Sequence, residues 1–223
     1  MEQINFKYFK PAALIPFILA ITVLYTLLSH KLILLLKASA AASQINENIH
    51  IISTLTLISF SFLFINFTGW KWKIFKWLID IPNLNGRYHG ELISSYKDLN
   101  GNPILKDCMI EIKQTASSIK IFSYYADKGM DNETSSAKSI SEELVKEENG
   151  LFVLYYIYSN DPDTLQTRLF NQHNQLHKHS GAATLKYFPD IKSLQGEYYN
   201  QRQNIGTMKA RYLQRKTLGR FKV

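Results

Sequence analysis

Cysteine is nearly absent from this sequence: the 223 residues contain one, Cys108. A single cysteine permits no internal disulfide and excludes a multi-cysteine zinc cluster, so the chain suits a reducing compartment. Catalytic motifs are missing too, since there is no G-x-S-x-G elbow, no Walker lysine loop, no G-x-G-x-x-G and no HExxH. These absences favour a binding protein and leave a membrane-bound enzyme as an alternative.

Acidic residues are in the minority, with 18 against 26 lysines and arginines, which gives a net charge of +8. The excess is local: residues 1–80 carry 7 basic and 3 acidic residues, residues 81–170 carry 9 and 13, and residues 171–223 carry 10 and 2. This uneven distribution argues against a DNA- or RNA-binding protein. The basic last fifty or so residues could serve an anionic ligand or an acidic lipid surface, or could be a solvated face.

Two long apolar runs lie in the first 80 residues. Ala12–Ser29 has 18 residues without a charge, and Ile49–Phe67 is a second uncharged run. Each is long enough to cross a bilayer as a helix. The second run ends in GWKWKIFKW, where tryptophans alternate with lysines as in the belt of a membrane interface. Residues 1–80 are therefore predicted to form an anchor of two transmembrane helices, with two buried helices of a soluble core or a signal peptide as alternatives.

Lysine counts at the ends of these runs predict the orientation. One side has Lys7, Lys10, Lys71, Lys73 and Lys76, against Lys37 and Lys31 on the other. Because positive residues accumulate on the cytoplasmic side, the N-terminus and the C-terminal domain are both predicted to be cytoplasmic. The segment of about residues 37–48 is then the external loop.

After Pro82 the sequence changes to short segments in which apolar and polar residues alternate, separated by turn residues such as NGNP, DKGMDN, ENG and NIG. Period-two alternation predicts eight strands, at about 84–97, 107–114, 119–125, 135–146, 151–159, 179–188, 194–201 and 206–215. The segment 135–146 could equally be a short helix. Antiparallel strands joined by hairpins close naturally into a small barrel, because closure removes exposed edges. The predicted fold class is therefore membrane-anchored all-β, with residues 81–223 as a cytoplasmic, eight-stranded antiparallel β-barrel of the lipocalin or fatty-acid-binding-protein type.

Aromatic side chains on the predicted strands indicate a pocket inside this barrel. Tyr156 and Tyr158 share one face of their strand. Tyrosine rings offer flat surfaces for stacking and hydroxyls for hydrogen bonds, although they could equally pack a core. The candidate ligand-binding residues are Tyr88, Tyr156, Tyr158, His179, Tyr198, Asn200 and Arg202.

The strand from Leu194 places Tyr198, Asn200 and Arg202 on one face. A partly buried arginine needs an anion, and phosphate is the natural one unless a rim salt bridge replaces it. His179 could line the same cavity or be a hydrogen-bonded structural histidine. No carboxylate or cysteine completes a metal site around His173, His177 and His179, so no metal is predicted.

Several segments together resemble a known family. The two-helix anchor, the belt GWKWKIFKW, the strand LNGRYHG, and the later HSGAATLKYF and LQGEYYNQRQNIGTM resemble the membrane β-barrel effectors of bacterial cyclic-oligonucleotide anti-phage signalling systems, known as CBASS. The likeness covers nearly the whole chain and rests on the order of its motifs. The positions carried over are Gly86, Tyr88, Gly90, His179, Gly181, Gly196, Tyr198 and Arg202.

The resemblance implies a function. In that family a phage-activated CD-NTase makes a cyclic dinucleotide, the barrel binds it, and the protein oligomerises and disrupts the inner membrane, which kills the infected cell in abortive infection. This chain would then be a non-enzymatic, multi-pass inner-membrane protein with a cyclic dinucleotide as ligand, no cofactor, and the bilayer and further copies of itself as partners. A membrane-tethered carrier or sensor of an apolar ligand or lipid is the alternative, and it should have a mainly aliphatic interior.

Overall fold

The computed structural model describes residues 6–37, 54–98, 100–162 and 178–222. The chain divides into two compact units, one comprising Met1–Ile81 with Thr115–Ser118 and the other Pro82–Gln114 with Ile119–Val223. The first unit is mainly helical and the second is a β-barrel. The functional assignment of residues 1–80 as an anchor and 81–223 as a cytoplasmic ligand-binding domain stays a prediction.

Two apolar helices dominate the helical unit, α1 (Pro11–Lys37) and α2 (Thr54–Phe67). Pro11 suits the first turn of α1, because a backbone N–H is not needed there. The rings of Phe17 and Phe62 are buried with centroids 5.8 Å apart, which joins the two helices. Hydroxyl groups on both helices donate to carbonyls four residues earlier, so these polar groups are satisfied within their own helix: Thr26, Ser59 and Ser61.

One helix among the described residues can cross a membrane, judged by length and composition. It is the 18-residue window Pro11–Leu28, with a mean hydropathy of 2.2 and only 6% of its residues buried. The 14 residues of α2 extend about 21 Å, less than the roughly 30 Å of a hydrocarbon core. Residues 38–53, which include the start of the second predicted span and nearly all of the predicted external loop, lie outside the described residues. The second span and the orientation therefore stay predictions.

The helical unit is completed by the turn Thr115–Ser118. The Ala116 N–H donates to the Asn66 carbonyl over 3.0 Å, and the Ser117 hydroxyl donates to Asn66 Oδ1 over 2.5 Å. Asn66 is 3% exposed, so both of its oxygens are satisfied by this turn.

The second unit is a closed barrel of eight antiparallel strands, each paired with its neighbours in sequence. They are β1 (Gly86–Lys97), β2 (Pro103–Gln114), β3 (Ile119–Asp127), β4 (Glu133–Lys146), β5 (Phe152–Pro162), β6 (His179–Phe188), β7 (Ser193–Asn200) and β8 (Ile205–Gln214). Pairing of β8 with β1 closes the wall. The eight-stranded antiparallel barrel predicted from the sequence is confirmed, with strand ends that differ by a few residues.

The segment around SISEELVKEE, which has a helix-like composition, forms β4. It pairs with β3 on one side and β5 on the other, and its register shifts between Ser139 and Ser141. The bulge leaves Ile140 58% exposed. The part that contains Glu, Leu and Lys, residues 141–146, pairs along its length with β5, and this pairing outweighs its local helix propensity.

Alternate residues of each strand face the lumen, and the lumen has two unlike ends. The end at which β1 begins is aliphatic, with side chains at most 1% exposed: Ile110, Ile112, Ile121, Leu154, Leu185 and Leu194. The other end, where β1, β5 and β7 finish and β6 begins, carries Tyr, Ser, Asn, His and Arg. We call this second end the polar end of the lumen.

A strap formed by residues 215–222 follows β8 and covers the outer face of β1, β2 and β3. Beneath it Arg87 and Glu111 form an ion pair of 2.5 Å with side chains 0% and 1% exposed. Arg87 Nη1 donates to the Arg220 carbonyl over 2.9 Å, while Glu111 accepts from the Leu218 N–H over 2.7 Å. Phe221 is buried against Met109, Phe122, Tyr124 and Ala126. The strap was not predicted from the sequence.

Candidate ligand site in the barrel lumen

Three tyrosines form the aromatic part of the polar end. Tyr156 and Tyr158 on β5 and Tyr198 on β7 are 5%, 7% and 8% exposed. Tyr156 lies opposite Ala183, which lies opposite Tyr198, and the ring centroids of Tyr156 and Tyr158 are 6.1 Å apart. The fold therefore brings these three predicted site residues together on one side of the wall.

Two glycines provide the space that these rings occupy. A Cβ at Gly181 would lie 2.5 Å from the Tyr158 hydroxyl oxygen, and a Cβ at Gly206 would lie 2.5 Å from Cε1 of Tyr198. Any larger residue would force the ring away from the strand opposite. The tyrosine positions and the glycine positions thus depend on each other.

The three hydroxyls stay protonated at neutral pH. Burial raises the pKa of Tyr156, Tyr158 and Tyr198, and the Tyr158 and Tyr198 hydroxyls add to the effect on Tyr156 and Tyr158 respectively. For Tyr198 a hydrogen bond with Ser94 partly offsets burial. Neutral hydroxyls can both donate to and accept from a ligand.

An amide and an imidazole meet where β5 ends and β6 begins. Asn160 Nδ2 and His179 Nε2 are 3.4 Å apart, on directly paired residues. Asn160 Oδ1 is buried and has no hydrogen-bond partner among the described residues. A buried acceptor without a donor is costly, so a ligand that supplied a donor here would be stabilised.

Arg202 lies beyond the strand on which the sequence placed it. The side-chain oxygen of Asn200 accepts from the N–H groups of Arg202 (3.0 Å) and Asn204 (3.2 Å), which turns the chain at the end of β7. Arg202 is therefore carried by the β7–β8 turn, half-buried at the rim of the lumen. Burial lowers its pKa, and the neighbouring Tyr96 hydroxyl opposes that shift. The side-chain oxygen of Asn200 is therefore engaged in hydrogen bonds of this turn.

A second cation lies at this end on β2. Lys106 Nζ donates to Asp127 Oδ1 and to Thr134 Oγ1, each over 2.9 Å. Its side chain is 25% exposed. The polar end thus combines aromatic faces, neutral hydroxyls, an unpaired amide oxygen and two cationic groups.

Comparison with known proteins identifies this barrel. Residues 79–212, more than half of the chain, match the family model described as Cap15, cyclic dinucleotide receptor domain. The chain belongs to the Cap15 family. The CD-NTase-associated protein 15 of Staphylococcus schleiferi is 25% identical over 144 residues, which is 65% of this chain and 68% of the relative. The resemblance to CBASS effectors is confirmed, and with it a role in sensing a cyclic dinucleotide in anti-phage defence.

The Cap15 barrel places one predicted site residue away from the others. Tyr88 is at the aliphatic end, 1% exposed, and its hydroxyl donates to the Leu84 carbonyl over 3.0 Å. It lies six residues along β1 from Ser94, which is about 20 Å in an extended strand. Its ring packs edge-on against Tyr212 with centroids 5.5 Å apart. Tyr88 therefore packs and hydrogen-bonds within the aliphatic end of the lumen.

Several Cap15 lumen residues were missed by sequence reasoning. Strand alternation alone would have given Tyr125, which is 9% exposed and opposite Cys108, and Tyr96 at the end of β1. Asn160 and Lys106 could not be found in this way. Their place at the polar end of the lumen depends on which strand ends meet there, and a single strand does not show that.

An open surface concavity lies away from the Cap15 lumen, beside the β4–β5 turn and lined by Lys146, Glu147, Glu148 and Asn149. That surface depression holds none of the residues discussed above. No cluster of three or more His, Cys, Asp or Glu side chains suited to a metal occurs in the described ranges. His173 and His177, weighed above, lie outside them.

Proposed function

We propose that this chain binds a cyclic dinucleotide at the polar end of the barrel lumen and acts as the effector of an anti-phage response. The observation that carries the proposal is the grouping of Tyr156, Tyr158 and Tyr198 with the rim cation Arg202 at one end of a barrel of the Cap15 family. A cyclic dinucleotide presents two flat bases and two phosphates. Tyrosine faces stack on bases, and arginine pairs with phosphate.

Lys106 and Arg202 supply the charge for two phosphates. Both are at the rim, so the phosphates can stay near solvent while the bases reach the tyrosines. Lys106 already pairs with Asp127, whose side chain is 58% exposed, and would have to share or exchange that partner. Such an exchange costs little at an exposed rim.

We expect binding to move tyrosine rings, because those of Tyr158 and Tyr198 lie tightly against Gly181 and Gly206 at the polar end. A ligand shifts the barrel towards a rearranged form only as far as it binds that form more tightly. Rotation of buried rings in a closed wall is therefore the first conformational consequence of binding.

The effector step follows from the family and from α1. In the proposed topology the chain crosses the inner membrane twice, with its N-terminus and its barrel in the cytoplasm. Copies of the chain then associate within the membrane and disrupt it, and the cell dies. The apolar helix Pro11–Leu28 supports membrane insertion. Association is tested by the mass of the detergent-solubilised chain with and without ligand, and an unchanged mass would refute it.

The binding proposal is tested by calorimetry of the full chain in detergent against a panel of cyclic di- and trinucleotides. We expect one of them to bind selectively, and Tyr198→Ala to weaken its binding by roughly 5- to 150-fold, since stacking on one base is worth about 1–3 kcal/mol. Arg202→Ala should weaken it as well.

The adjacent Tyr199 provides a matched control, because it faces outward and is 62% exposed. Tyr199→Ala should bind like the unchanged chain. Absence of binding across the panel by a folded protein, or equal losses for the two tyrosines, would reject the lumen site. Tight binding of an apolar ligand instead would favour the carrier alternative, which the polar end argues against.

A further inference from the structure

The segment Gly69–Trp77, which we call the interfacial segment, exposes aromatic and basic side chains side by side. It follows α2 as two 3₁₀ turns, Gly69–Lys71 and Lys73–Phe75. Trp72, Ile74 and Trp77 are 52%, 68% and 50% exposed. The three lysines of the segment are exposed too: Lys71, Lys73 and Lys76. So much exposed tryptophan and isoleucine needs a partner other than water.

The interfacial segment lies at the N-terminal end of α1. The Lys10 N–H donates to the Leu78 carbonyl over 2.9 Å, and Lys10 Nζ donates to the Lys76 carbonyl over 3.4 Å. The rings of Phe17 and Trp77 meet edge-on with centroids 5.9 Å apart. Since α1 begins at Pro11, the interfacial segment is level with the first two turns of the helix that can cross a membrane.

We propose that the interfacial segment binds anionic phospholipids in one leaflet, with the exposed rings at the headgroup boundary and the lysines on headgroup phosphates. The segment contains no acidic residue, and nearby Asp80 is within 4.0 Å of Lys10. Tryptophan favours the membrane interface, and each lysine near an anionic surface is worth about fivefold in partitioning. The inference rests on α1 crossing the membrane, as in the proposed function, and adds a headgroup preference.

All three tryptophans of the chain, Trp70, Trp72 and Trp77, belong to this segment, so tryptophan fluorescence reports on it alone. The full chain is reconstituted into phosphatidylcholine vesicles containing an equal mole fraction of brominated phosphatidylcholine or brominated phosphatidylglycerol. We expect quenching by both lipids, because bromine atoms in contact with a ring quench it. Quenching by the phosphatidylglycerol probe should be at least about twofold stronger, since three lysines enrich anionic lipid around the rings.

Replacing the three lysines separates the two parts of the proposal. The triple variant Lys71→Gln, Lys73→Gln, Lys76→Gln should lose the preference for brominated phosphatidylglycerol and keep quenching by brominated phosphatidylcholine. The triple arginine variant should retain the preference. A control with three exposed barrel lysines changed to glutamine, Lys97, Lys209 and Lys216, should behave like the unchanged chain.

Absence of quenching by either lipid would overturn the placement of the segment at the membrane. Equal quenching by the two lipids, or a preference that survives in the triple glutamine variant, would overturn anionic lipid binding. A cyclic dinucleotide titration of the same vesicles distinguishes these outcomes from failure of the proposed function. The triple glutamine variant should bind the nucleotide unchanged, because its substitutions lie outside the barrel.

Discussion

Arg87 and Glu111 are oppositely charged residues buried in the barrel wall outside the lumen. Their side chains are 0% and 1% exposed, and both also bond to the strap. Removing one partner leaves the other charge buried and unpaired, which typically costs about 3–5 kcal/mol. We therefore expect Arg87→Ala to lower the free energy of unfolding of the barrel by that amount, measured by urea denaturation followed by circular dichroism. Lys209→Ala, at an exposed position on β8, should change it by less than about 0.5 kcal/mol.

The lumen tyrosines predict an alkaline limit to stability. Burial raises the pKa of Tyr125, Tyr156 and Tyr158 well above the ordinary value of 10.0. Unfolded tyrosines ionise above pH 10 while the buried ones stay protonated, so the unfolded state binds fewer protons and stability falls as pH rises. With respect to these groups, stability should be flat from pH 7 to about 9 and begin to fall as unfolded tyrosine ionises near pH 10. Above that pH the loss should approach about 1.4 kcal/mol per pH unit for each buried tyrosine. Denaturation midpoints measured across that range test this, and a flat profile to pH 11 would contradict it.

Individual residues show what the sequence could and could not predict. Alternation placed Tyr156, Tyr158 and Tyr198 in the lumen correctly, because a strand face depends only on parity. Arg202 was predicted on a strand face and lies in a turn, since the Asn200 side chain ends β7 first. The lumen position of Tyr88 also followed from parity, but its distance from the others depends on which strand ends meet. Whether any of these residues contacts the ligand stays a prediction.

At the scale of elements, the strap is the part with the most testable structural role. Its main apolar contact is Phe221, 5% exposed against Met109 and Tyr124. Phe221→Ala should destabilise the barrel by roughly 3 kcal/mol, because it removes a buried ring. Leu218→Ala, at a position 36% exposed on the same strap, should have a much smaller effect. Equally small losses of stability in the two variants would show that the strap stabilises the barrel only through its backbone.

Strands were predictable as elements and the strap was not. Turn residues and period-two alternation located all eight strands, including β4, where pairing of residues 141–146 with β5 decided between strand and helix. The strap has no such periodicity: the backbone of its sequence RKTLGRFK is bound by Arg87, Glu111 and Glu133, which lie on distant strands. Long-range contacts of this kind leave no local pattern.

Across the whole molecule, basic and acidic residues are concentrated in different strands of the barrel. Residues 178–222 carry 10 basic and 2 acidic residues, whereas residues 133–162 carry 2 and 6. A doubly charged cyclic dinucleotide should be attracted towards the basic part, so its association rate should fall severalfold as the Debye length shortens from about 30 Å at 0.01 M to about 8 Å at 0.15 M salt. Stopped-flow measurements would test this.

A strap variant separates long-range attraction from contact in the lumen. Arg215, Lys216, Arg220 and Lys222 all expose their side chains, and the strap bonds to the barrel through the backbone of Arg220 and Lys222. Changing all four to glutamine should reduce the salt dependence of association and leave dissociation unchanged. A salt-independent rate in the unchanged chain would reject electrostatic attraction.

Because the barrel wall closes by pairing of β1 with β8, the barrel can fold only after nearly the whole chain has been synthesised. Arg87 pairs with Gln214, a separation of 127 residues, and the strap adds residues up to Lys222. At about 5–20 residues per second, a ribosome needs roughly 6–25 s to cover that separation. The apolar helix α1 is therefore complete long before the barrel wall can close. If α1 enters the membrane as proposed, every newly made copy passes through a period at the membrane in which it has no lumen to bind the proposed nucleotide.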